Sequence, residues 1–160
     1  MPVTTTRPFA AKIVCTASTS GILGNFGQSN YGAAKMALVG LMQTLAIEGA
    51  KHDIRVNCLA PTAATRMTEG LMPDDVLQAL SPVAVVPAML LLASSDAPTR
   101  TVLCAGAGTF ETANVTLTRG VWLGTGEQVP ESLAARWSEV VDRKGETVPQ
   151  DGSVQGSNEV

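Results

Sequence analysis

Two short apolar runs with a helical stretch between them constrain this chain more than any other feature. Residues 12–17 (KIVCTA) and 54–60 (IRVNCLA) are β-branched and nearly free of charge, the pattern of strands buried on both faces of a parallel sheet. Between them, Ala33, Ala37, Gly40, Leu41, Thr44, Leu45 and Glu48 recur at helical spacing over residues 30–49, and Gly49 suits a C-cap. Strand, helix, strand in this order points to a right-handed parallel crossover. Pro61 stops the second run, residues 83–94 predict another helix, and residues 101–105 (TVLCA) predict a third strand closed by Gly106, Ala107 and Gly108. The fold class expected is therefore α/β, with about three parallel strands and flanking helices.

The remaining segments are less regular. Residues 62–72 are polar, contain Gly70 and end at Pro73, and their methionines suit either a flap or core gap-filling. Pro73 with Asp74 and Asp75 opens a short helix. Past Gly120, Pro130 and Glu131 begin an amphipathic helix whose stripe holds Leu133, Trp137, Val140 and Val141. Residues 1–145 read as one domain, and residues 146–160, polar and Gly-bearing, as a disordered tail.

Charge excludes several partner classes. Only 16% of residues are charged and the net charge is −3, so no broad basic surface exists for nucleic-acid phosphates or anionic lipid. The longest apolar stretch, residues 83–93, is too short for a membrane span and is interrupted by Pro87. Neither nucleic acid nor membrane is an expected partner. Cys15, Cys58 and Cys104 are odd in number and lack a CxxC or Cys/His arrangement, so they read as reduced core thiols and no metal is expected. Together with the absence of a secretory h-region, this gives a cytoplasmic expectation.

Chemistry concentrates after the first strand. Tyr31 and Lys35, at i and i+4, share one helical face, and a cation beside a phenol favours phenolate, which fits the Tyr to exchange protons with an alcohol or ketone near neutral pH. The spacing alone is common by chance. Ser18 strengthens it, because it follows the C-terminal end of a buried strand, where open parallel sheets present ligand groups. A hydroxyl there hydrogen-bonds a reacting oxygen opposite the Tyr, and the loop after Pro61 borders the same crevice.

The stretch STSGILGNFGQSNYGAAK, followed by NCLAPTAATRMT, resembles the short-chain dehydrogenase/reductase family, whose active site combines a Ser, a YxxxK pair and a loop after a strand-ending Pro. More narrowly, GNFGQSNYGAAK, LAIEG, APTAATRMTE and the AGAG after the third strand are similar to the (3R)-hydroxyacyl-CoA dehydrogenase domain of peroxisomal multifunctional enzyme type 2 and its bacterial relatives. The resemblance implies that Tyr31 is the general acid/base, that Lys35 tunes it and holds the nicotinamide ribose, and that Ser18 orients the substrate oxygen. It also implies that Pro61, Ala63, Ala64, Thr65 and Arg66 line the nicotinamide end of the cofactor; Thr62 stands where the family usually has Gly. The cofactor implied is NAD or NADP, NAD being favoured by the narrower resemblance, and the substrate is an acyl-CoA-like or other alcohol/ketone.

The family's TGxxxGxG turn and NNAG segment do not occur in these 160 residues. The expectation is thus the C-terminal half of a Rossmann-type doubly wound parallel sheet, lacking the dinucleotide-binding half and inactive as an isolated chain. A non-catalytic paralogue that pairs with a full-length or complementing chain is the alternative, and a homo-oligomer or complementing partner is expected.

Overall fold

The computed structural model describes residues 10–64 and 73–159. The chain divides into two compact units, Met1–Ala113 and Asn114–Val160. In the first, strands β1 (Lys12–Thr16), β2 (Arg55–Pro61), β3 (Val102–Gly106) and β4 (Thr109–Ala113) form one sheet in the order β1-β2-β3-β4. β1 and β3 both run parallel to β2, with Cys15 beside Cys58 and Ala60 beside Cys104, while β4 returns antiparallel to β3.

This sheet corrects the expected fold class: it has four strands and is mixed, not about three strands and parallel. The strand that periodicity missed, TFETA, has four of its five residues exposed, so it lacks the apolar signature of a buried strand. What makes it is the turn. Ala107 (φ 48°) and Gly108 (φ 79°) both adopt positive φ, as a two-residue type I′ hairpin requires.

Alternation along the strands sorts side chains onto two faces. Val56, Cys58, Ala60 and Val102 pack against Val39, Met42 and Ala46 of helix α2 (Ser29–Gly49). Leu59, Leu103 and Ala105 pack on the other face against Val85, Ala88 and Leu92, the last two in helix α4 (Val86–Ala93). A short helix α1 (Thr19–Ile22) follows β1, and α3 (Asp74–Ala79) precedes α4. Helices on opposite faces of three strands laid down in sequence order give the two crossovers opposite hands, so one of them departs from the right-handed rule. The buried stripe of α2 runs through Val39, Met42, Ala46 and Gly49, whereas the small residues Ala33, Ala37 and Gly40 are exposed.

Cys58 is fully buried between β1 and α2, and burial, followed by the neighbouring Cys15, pushes its thiol from 9.0 up to about 11. Between those values the unfolded chain ionises the thiol and the folded chain does not, so stability falls as pH rises from about 9 to about 11. Urea unfolding across that range should show the decline in the wild type and a smaller decline in Cys58→Val; identical curves would refute this.

In the second unit, Leu117 and Thr147 exchange backbone hydrogen bonds at 2.9 Å, and Thr118 Oγ1 donates to Val140 O at 2.8 Å. The helix expected from Pro130 is broken at Arg136 into α5 (Val129–Ala135) and α6 (Trp137–Val140), and Leu133, Trp137 and Val141 of its apolar stripe stay exposed. Arg136 and Glu139 form a two-pronged ion pair, as do Arg143 and Glu146; both are exposed. Within residues 146–160, Ser153–Glu159 forms helix α7, started by Asp151, whose carboxylate accepts from the Ser153 amide at 2.8 Å.

Candidate active site

The site is built where β1 gives way to α1. Ser18 is extended (φ −159°, ψ 147°) and caps α1, its Oγ accepting from the Ser20 amide at 3.2 Å. That contact uses a lone pair and leaves the hydroxyl proton for another acceptor. α1 lies tightly on α2: a Cβ at Gly21 would stand 2.8 Å from Lys35 Cβ and 2.9 Å from the Met36 amide nitrogen. Glycine at 21 therefore lets the turn carrying Ser18 approach the helix carrying Tyr31 and Lys35.

Tyr31, in the first turn of α2, is 43% exposed. Lys35 Nζ donates to Thr16 O, the last carbonyl of β1, at 2.9 Å, and lies 5.7 Å from the centroid of the Tyr31 ring, within cation–π range. Helix and strand end are thus joined by one ammonium, two residues from Ser18. The spacing expected to place phenol and ammonium together does so. Among the described residues, the Tyr31 hydroxyl has no hydrogen-bond partner.

The loop after β2 forms the second side. Pro61 pairs with Ala105, Thr62 N donates to Ala105 O at 2.8 Å, and Ala64 N donates to Leu80 O at 2.7 Å. Ala63 packs against the α4-facing core. A Cβ at Gly106 would meet Thr62 O at 2.7 Å, so β3 ends in glycine where this loop crosses it. Thr65 and Arg66 lie outside the described residues, as does the flap expected around Met67 and Met72. Among the described residues, no group of three or more His, Cys, Asp or Glu is placed to hold a metal, and no helix is long and apolar enough to cross a membrane.

Sequence reasoning gave Asn57 no role. It is fully buried, donating through Nδ2 to Pro98 O at 2.7 Å and accepting at Oδ1 from Thr101 N at 3.1 Å. Arg100 N adds a 2.7 Å bond to Val56 O, and Arg55 bonds Ala97 O. The segment entering β3 is thereby pinned to β2. The signal was one amide side chain inside an otherwise apolar run.

A strand–helix–strand unit with Ser at the strand end and Tyr and Lys one turn apart on the helix is the arrangement of a short-chain dehydrogenase, and the family model described as short chain dehydrogenase matches residues 4–75. Over this stretch the chain is homologous to short-chain dehydrogenases. It is 44% identical over 135 residues to a short-chain type dehydrogenase/reductase of Mycobacterium tuberculosis, covering 84% of this chain and 47% of that protein. It is 39% identical over 142 residues to peroxisomal multifunctional enzyme type 2 of Mus musculus, covering 87% of this chain and 19% of that one. The solved full-length peroxisomal multifunctional enzyme type 2 of Drosophila melanogaster superposes with a TM-score of 0.78 at 31% identity, over 93% of this chain and 27% of that one. The chain thus spans about half the length of the mycobacterial relative and less of the multifunctional ones.

Two expectations are overturned here. The family match takes in residues 4–75, in the N-terminal part of this sequence, and a Rossmann-like four-stranded sheet with flanking helices spans Lys12–Ala113, so the chain is not simply a C-terminal half-fold. The cytoplasmic expectation fails against relatives named as peroxisomal enzymes in Dictyostelium, yeast, Neurospora, mouse and fly. Reduced thiols do not distinguish one reducing compartment from another.

Proposed function

We propose that Ser18, Tyr31 and Lys35 form the proton-transfer centre of an NAD(P)-dependent dehydrogenase that interconverts a secondary alcohol and a ketone, with a 3-hydroxyacyl-CoA-like substrate and NAD as the favoured dinucleotide. The observation that supports this reading is the single ammonium of Lys35, bonded to the end of β1 and lying against the Tyr31 ring. The residues fit the nicotinamide end of such a cofactor. Lys35 spends one of its three N–H donors on Thr16 and keeps two for ribose hydroxyls, while the half-exposed Tyr31 has no hydrogen-bond partner for its hydroxyl among the described residues. When bound, the dinucleotide supplies the hydride acceptor or donor.

The chain's own groups handle the proton. The Ser18 hydroxyl donates to the reacting oxygen and fixes its direction. The Tyr31 phenol oxygen takes the alcohol proton during oxidation and returns it during reduction, and the Lys35 ammonium offsets negative charge developing on that oxygen. Pro61, Ala63 and Ala64, with Thr65 and Arg66, complete the nicotinamide side in this reading. Relatives named as a 3-oxoacyl-[acyl-carrier-protein] reductase and an acetoacetyl-CoA reductase support the substrate class. Oxidation of (3R)- and (3S)-3-hydroxybutyryl-CoA by the intact protein, followed at 340 nm with NAD and with NADP, tests it. The expected result is turnover of the R isomer with preference for NAD; turnover of neither isomer with either dinucleotide would overturn the reading.

A further inference from the structure

A cavity of about 220 Å³ opens at the C-terminal ends of β2 and β3, and the candidate active site does not account for it. Pockets for whole ligands run from roughly 300 to 1,000 Å³, so this one takes a fragment of a larger molecule. Its walls are Thr19, Thr62, Leu80, Cys104, Thr109 and Glu111, with the Ala105–Ala107 stretch between. Thr19 is the residue after Ser18 and Thr62 the residue after Pro61, so the cavity shares two segments with the proton-transfer centre. Cys104 pairs with Ala60 and Glu111 across the sheet, and Cys104 packs with the core that contains the α2 side chains. Ala105 belongs instead to the α4-facing core, so the cavity sits at the C-terminal edge of the sheet, beside the segments that carry Ser18 and Pro61.

The lining chemistry is selective. Burial, followed by the charge of Glu111, pushes the Cys104 thiol upward, which keeps it neutral at physiological pH; among the described residues, Glu111 is the one charged wall residue. Among the described residues, the wall contains hydroxyls, a thiol, aliphatic carbons and the Glu111 carboxylate, and no cation. Such a surface accepts a short alkyl group and repels a chain ending in carboxylate.

We infer that this cavity is the subsite for the alkyl end of the substrate, and that Glu111 and Cys104 restrict it to short, uncharged chains. The inference rests on the dehydrogenase reading and adds a specificity site to it. Glu111 is exposed on β4, so substitution there leaves the fold intact.

Kinetics of the intact protein on 3-hydroxybutyryl-CoA, 3-hydroxydecanoyl-CoA and an ω-carboxylated 3-hydroxyhexanoyl-CoA provide the test. The wild type should prefer the four-carbon chain, and Glu111→Lys should raise kcat/KM for the ω-carboxylated substrate relative to the four-carbon one by about tenfold. An unchanged ratio in Glu111→Lys, with turnover still abolished in Tyr31→Phe, would overturn the subsite and leave the dehydrogenase reading standing. An independent readout is the rate at which methyl methanethiosulfonate modifies Cys104, followed by mass spectrometry. A saturating four-carbon 3-hydroxyacyl pantetheine should slow it at least threefold, and an unaltered rate would overturn the proposal even without turnover data.

Discussion

Tyr31→Phe is expected to lower kcat for alcohol oxidation by roughly 10²–10⁴-fold, the range that a positioned acid/base contributes. The substitution removes one oxygen and keeps the ring, so the Lys35 contact at 5.7 Å and the Lys35 bond to Thr16 remain. At 43% exposure, and with no internal partner for its hydroxyl among the described residues, Tyr31 adds little to stability, and the thermal midpoint should move by less than a degree or two. Steady-state kinetics and a melting curve on one preparation separate the effects. Lys35→Ala should behave differently, because it cuts the link between α2 and β1 as well as the charge beside the phenol, so both KM and kcat should suffer. A Tyr31→Phe variant with wild-type turnover would remove the chemical basis of the proposed function.

The largest expected effect on stability belongs to Asn57→Leu. Leucine matches the amide in size but leaves Pro98 O and Thr101 N without their partners at 2.7 and 3.1 Å, in a side-chain site with no exposure to water. An unsatisfied buried group costs about 1–3 kcal/mol, so the loss should be roughly 2–4 kcal/mol, read as a lower urea midpoint with an unchanged slope. Asn57→Asp keeps an acceptor for Thr101 but sets a carboxylate against the Pro98 carbonyl. It should be less stable than Asn57→Leu at neutral pH and recover as acid protonates it, because the buried folded-state carboxyl holds its proton more tightly than the unfolded one. A change below about 0.5 kcal/mol in Asn57→Leu would show that the 98–101 segment is held by its other bonds.

Periodicity made the central crossover legible. β1, α2, β2 and β3 follow from apolar runs and helical spacing, because strands buried on both faces and a helix packed along one side leave those marks. The Tyr31–Lys35 adjacency was equally legible, since i, i+4 geometry is local. What escaped depends on partners distant in sequence. β4 is an exposed strand whose existence comes from a turn at Ala107–Gly108, where one non-glycine residue takes positive φ. The exposure of Ala33, Ala37 and Gly40 follows from which face of α2 meets the sheet, and several apolar and small stripes on that helix compete for the role. The hand of a crossover leaves no local trace at all. The Lys35 bond to Thr16 carbonyl was also invisible, although it is what ties helix to strand at the site.

A kinetic cycle of Ser18→Ala, Tyr31→Phe and the double variant tests most directly whether two side chains from separate elements act on one oxygen. Groups that act as a unit are not additive, so the double variant should lose no more than about threefold beyond the worse single one. Losses that multiply across the two substitutions, or two single variants with undiminished turnover, would show that no shared proton-transfer centre exists at the end of β1.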